Sequence, residues 1–147
     1  MILQNAPLVK STLVKVRLIH IALLTAIPLF GWLAENIRIH NSGAWTWRHW
    51  LSAGAAVYVA WGGFYMRRRL VASSERVLAT TADPKALKNW EAGQIIGMAM
   101  AEGIVTWGAF VRIMLGCALW QAALFYAAGL FLLLLWTPRL PATVASA

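Results

Sequence analysis

Four apolar stretches, residues 18–34, 50–66, 93–111 and 118–136, divide this chain of 147 residues, and each approaches the length of about 20 residues that a bilayer-crossing helix needs. Backbone N–H and C=O groups in hydrocarbon must bond within their own segment, so stretches of this length are helices if lipid surrounds them. The expected fold class is therefore all-α. It is a polytopic membrane protein with four transmembrane helices arranged as two helical hairpins, forming one domain over residues 1–147. The composition agrees, with 61% hydrophobic residues, 12% charged residues and a mean hydropathy of +0.65.

The charges sort by side. Lys10, Lys15, Arg17, Arg67, Arg68, Arg69, Arg76, Lys85, Lys88 and Arg139 fall on one face, against Arg38, Arg48 and Arg112 on the other. Cytoplasmic loops carry the excess of Lys and Arg, so both termini are expected inside, in a bacterial cytoplasmic membrane. The tryptophans divide in the same way. Trp90 and Trp136 would mark the inner boundary, and Trp32, Trp45, Trp47, Trp50 and Trp120 the outer one, leaving Trp61 and Trp107 as deeper packing residues. The first span is read as a retained helix bent at Pro28, because Leu33-Ala34-Glu35-Asn36 offers no cleavage site.

Between the second and third spans, residues 67–92 are expected to form a helical cytoplasmic connection. Asp83-Pro84 is a helix start, with the carboxylate able to cap free N–H groups and the proline preset for the first position. A helix from there to Arg112 measures about 43 Å. The second helix is expected to continue through Arg69 to about Leu78. Arg67, Arg68 and Arg69 read as a stop-transfer anchor at the lipid headgroups, and the tail over 138–147 reads as flexible. No internal repeat of 20 to 50 residues is present.

One residue interrupts the apolar pattern. Glu102 lies near the middle of the third span, where a central acid costs about 2.5 to 3.5 kcal/mol on insertion scales and marks a functional site by default. Exclusion of water disfavours the charged form, so the carboxyl is expected to be protonatable near neutral pH. It either loads and releases a proton or cation, with Thr106 and Gln121 helping to place it, or donates a fixed hydrogen bond to Tyr58, Gln121 or Tyr126. Beside it, Gly93, Gly97 and Ala101 form a small-residue row, and Ser52, Ala56 and Ala60 repeat that spacing on the second helix. Such rows permit close backbone approach, which pairs helices two and three.

The run Ile96-Gly97-Met98-Ala99-Met100-Ala101-Glu102-Gly103-Ile104-Val105-Thr106-Trp107-Gly108 resembles the carboxylate helix of the rotary ATP synthase proteolipid, subunit c, whose pattern is similar to I-G-x-A-x-x-E-x-x-x-x-Y-G. The resemblance implies a proton or sodium site at Glu102, with Trp107 at the aromatic position. It covers about twenty residues; the family's short Arg-Gln-Pro loop is absent here, and Ser52 to Gly63 only approximates its glycine row. More broadly, the chain resembles small bacterial four-span proteins.

Other chemistries find little support in the sequence. The net charge of +8 is spread between apolar spans rather than gathered on one face, so nucleic acid is not an expected partner. The lone Cys117 rules out an intrachain disulfide and reads as a small buried hydrophobe. Glu35, His40 and His49 share the outer connection but match no metal-ligand spacing. His20 reads as a satisfied interfacial residue and Arg112 as a solvated charge snorkelling outward. No nucleophile-base set, phosphate-cradling glycine loop or haem-ligand pair is visible, so neither an enzyme nor a cofactor is expected. The expected partners are the lipid bilayer and other membrane subunits or further copies of this chain, which makes an accessory or assembly role the alternative to ion handling.

Overall fold

A computed structural model describes residues 6–37, 47–81 and 83–139. Arg38, His40 and Trp45 lie outside these residues, as does most of the tail expected to be flexible. The described residues form four α-helices and no strands: α1 (Ala6–Ile37), α2 (Trp47–Leu78), α3 (Pro84–Met114) and α4 (Leu119–Leu135). Two helical segments, Pro7–Ile37 and Pro84–Met114, are long and apolar enough to cross a membrane, and α4 is a shorter apolar helix.

The ends of the helices follow from local chemistry. Asp83 takes an extended conformation before α3 and its carboxylate accepts from the amides of Lys85 and Ala86 at 3.1 and 3.3 Å, while Pro84 fills the first position. At the other end, Gly116 has φ 64°, a left-handed conformation that costs glycine nothing and stops the helix. The chain restarts at Ala118, whose amide donates to Gln121 Oε1 at 2.6 Å, half of a capping box. α1 outruns its expected span, beginning more than two turns before residue 18, whereas α2 runs on to Leu78 as expected.

α3 is the hub. It packs against α2, α4 and α1, while α1 touches α4 only lightly. The expected first hairpin is thus not a packed pair, because α1 leans on α3 rather than on α2. Val16 and Ile27 of α1, Val71 and Leu78 of α2, Trp90, Met98, Ala101 and Val105 of α3, and Leu133 and Trp136 form the main core.

Small residues set the spacing around the hub. A Cβ on Gly93 would stand 2.8 Å from Val71 Cγ2, and one on Gly97 would stand 2.6 Å from Arg67 Cδ, so α2 and α3 approach more closely than any larger residue permits. The pairing of these two helices is as the small-residue rows indicated.

The tryptophans depart from expectation. Trp90 and Trp136 are buried in the core rather than displayed at a boundary, whereas Trp61 is 72% exposed and Trp107 lies on an open groove. Trp90 belongs to the core cluster shared by α1, α2 and α3, whereas Trp61 lies on an exposed face of α2.

Candidate functional site

Two ion pairs join α1 to α3. Lys15 Nζ meets Glu91 Oε1, and Arg112 donates from Nε and Nη2 to the two oxygens of Glu35 at 2.7 and 3.0 Å. Both registers increase together, so the two helices run parallel. The pairs are separated by residues 15 to 35 on α1 and 91 to 112 on α3, about 30 Å of helix. Arg112 also donates from Nη1 to the Cys117 carbonyl, tying down the turn between α3 and α4.

This corrects the reading of Arg112 as a free surface charge. The side chain is buried, and the bidentate grip on Glu35 supplies the counter-charge that a guanidinium withdrawn from water requires. Sequence spacing held no clue to the pairing, because Glu35 and Arg112 are 77 positions apart. Buried Cys117 fits its reading as a small hydrophobe.

Midway between the two pairs lies Glu102. It lines a groove of about 670 Å³ between α1 and α3, with Ile19 and Leu23 on one wall and Ala99, Thr106, Trp107 and Phe110 on the other. Both carboxyl oxygens are closed to solvent, and neither has a hydrogen-bond partner among the described residues. The Trp107 and Phe110 rings form a tilted pair with centroids 5.4 Å apart. Gly103 opens the groove, since a Cβ there would meet nothing within 4 Å.

None of the expected hydrogen-bond partners reaches the acid. Tyr58 is 79% exposed on α2, which does not line the groove. Gln121 is buried but its oxygen caps α4, so it does not belong to an ion site with Glu102. Tyr126 packs beside Gly31 and Gly108, toward Arg112 and Glu35, and its hydroxyl is itself without a partner among the described residues. Thr106 does share the groove, with an exposed side chain.

His20 is a further titratable group on the same helix pair. It is buried, and its Nδ1 has no partner among the described residues, contrary to the satisfied interfacial residue expected. By the register of the ion pairs it lies about six residues, or roughly 9 Å along the axis, from the level of Glu102. A histidine in an apolar helix was the available signal, but its burial was not readable.

The packing rows do not all meet as expected. Gly93 and Gly97 face α2, but the backbone of Ala101 faces Gly129 of α4 instead. Ser52 and Ala56 are buried, and Ala56 packs with Ile104 and Phe125. Together with Ala60 it also lines an apolar groove of about 750 Å³ between α2 and α4.

The three consecutive arginines separate as well. Arg68 and Arg69 are exposed, whereas Arg67 turns into the bundle, where burial lowers its pKa and the nearby Glu75 partly offsets that effect. No group of three metal-ligating side chains occurs among the described residues, and His40 of the outer set lies outside them. No family model, curated protein or solved structure matches this chain.

Proposed function

We propose that this chain is a non-enzymatic four-span protein of a bacterial cytoplasmic membrane, with both ends inside, in which Glu102 binds a proton or small cation. The observation that carries the reading is the carboxyl itself, shielded from solvent and unpartnered among the described residues. An acid engaged only in locking the bundle would be bonded to a neighbour, because an unpaired polar group in a dry site costs several kcal/mol.

The membrane part rests on the surface. Leu18, Leu29, Val57, Trp61, Leu124, Phe131 and Leu134 are all more than half exposed, a distribution that suits lipid and not water. The ion pairs stand about as far apart as the two faces of a hydrocarbon layer, about 30 Å, a spacing that supports a position for Glu102 near the midplane. His20 adds a second intramembrane titratable group, as a pathway for protons requires. The resemblance of the α3 motif to the proteolipid carboxylate helix points the same way.

A second reading is favoured by the open side of the groove. In an accessory or assembly role, a helix from another copy or another membrane subunit would fill it and supply a donor to Glu102. The test is reaction with a hydrophobic carbodiimide in liposomes, read by mass spectrometry across pH and sodium concentration. Ion handling predicts labelling of Glu102 that falls as pH rises or as sodium competes, together with loss of that labelling in Glu102→Gln. Labelling indifferent to both pH and sodium would refute ion binding, and oligomers kept in Glu102→Gln, whose amide oxygen still accepts a hydrogen bond, but lost in Glu102→Leu would favour the assembly role.

A further inference from the structure

At the Lys15 end of the bundle, a crevice of about 400 Å³ opens between α2, α3 and the end of α4, lined by Arg67, Arg68, Glu75, Gln94, Thr137 and Arg139. Three arginines and one glutamate line it. Arg67 is held in place: its stem lies on Gly97, its Nη2 donates to Gln94 Oε1 at 3.3 Å, and its guanidinium stands 5.3 Å over the ring of buried Trp136. Neither the amide nor the indole neutralises it. Its Nε is buried without an acceptor among the described residues, a donor of a charged group left unused.

This is not the arrangement of a stop-transfer anchor, in which long basic side chains turn outward to water. Arg67 turns inward, and Arg139 joins Arg68 from the far end of the sequence. Guanidinium forks match the geometry of a phosphate oxyanion, Arg67 is held in place, and the three arginines outnumber the single acid among the lining residues. We propose that this crevice is a binding site for the phosphate of an anionic ligand, with Arg67 as its buried anchor and Arg68 and Arg139 as its rim. Two sources share that chemistry, an anionic phospholipid headgroup and a soluble phosphate. The site stands apart from Glu102 and does not depend on the proposal made for it.

The experiment uses the full chain purified in neutral detergent, with thermal unfolding followed by tryptophan fluorescence and bound lipid counted by native mass spectrometry. One arm titrates short-chain phosphatidylglycerol against phosphatidylcholine. The other titrates inorganic phosphate against chloride at constant ionic strength. Arg67→Gln removes the anchor, and because it alters core packing, the exposed pair Arg68→Gln/Arg139→Gln serves as the variant that keeps the fold. Phosphatidylglycerol is expected to raise the midpoint of the wild type and to bind the rim variant roughly tenfold more weakly, or worse, for each guanidinium removed. Protection by inorganic phosphate as well as lipid identifies a soluble ligand, and protection by the lipid alone identifies a headgroup. Equal binding by wild type and rim variant, or a wild type that responds to neither anion beyond its control, overturns the proposal.

Discussion

Replacing Arg112 with methionine should destabilise the bundle far more than replacing Lys15 with methionine, although each change removes one ion pair between the same two helices. The side chains of Arg112 and Glu35 are 3% and 34% exposed, against 63% and 20% for Lys15 and Glu91. Breaking a buried pair from one side costs about 3–5 kcal/mol, because the other charge is left uncompensated. Glu35 retains some access to its surroundings and has interactions besides Arg112, which offset part of that cost, but the Cys117 carbonyl loses its donor too. The expected loss is about 2–4 kcal/mol. An exposed pair such as Lys15–Glu91 is worth about 0.2–1 kcal/mol. Unfolding in mixed micelles, followed by tryptophan fluorescence, measures both. The double variant Glu35→Leu/Arg112→Met should recover part of the loss, since removing both charges leaves none stranded. Equal effects of the two single changes, or a loss below about 1 kcal/mol for Arg112→Met, would refute the argument that burial decides the strength of these clamps.

Further expectations follow from other positions. Gly129→Val puts a Cβ 2.8 Å from the Ala101 carbonyl oxygen and should cost more than about 2 kcal/mol in the same assay, while Gly54→Ala, with nothing within 4 Å, should be neutral or gain up to about 1 kcal/mol. Gly103→Leu adds a side chain beside the Glu102 groove from a Cβ that meets nothing within 4 Å, so unfolding should change little while carbodiimide labelling of Glu102 falls. In liposomes containing brominated lipid, a variant retaining only Trp61 should be strongly quenched and one retaining only Trp90 should be spared, given 72% and 0% exposure; equal quenching would count against the four-span reading.

The parts of the fold legible in the sequence are those governed by neighbouring residues. Asp83-Pro84 announced the start of α3, and the Gly93–Gly97 row announced a close approach by α2. What escaped was the direction each helix faces. α3 is apolar nearly all round, as befits the central helix, so periodicity could not say that Trp90 lies inside or that Ala101 turns toward α4 rather than α2. Glu102 stood out by its charge alone, but its lack of a partner emerged only from the packing, in which Gln121 caps α4 and neither Tyr58 nor Tyr126 bonds to the acid. Arg112 and Arg67 were misread for one reason. A long basic side chain at a helix end snorkels outward by default, and only tertiary neighbours such as Glu35, Gln94 and Trp136 turn it inward.

The parallel clamping of α1 to α3 bears on the order in which the molecule is put together. Each clamp joins residues 76 or 77 positions apart, so at about 5–20 residues per second a ribosome takes roughly 4–15 s to deliver the second half of either pair after the first. For that interval Glu35 waits without its arginine, while α2 and α3, contiguous in the chain, are free to zip together. The Glu35–Arg112 clamp therefore closes only after α2 and nearly all of α3 have been made, so the register of α1 against α3 is completed late in synthesis, with only α4 of the four helices still to follow.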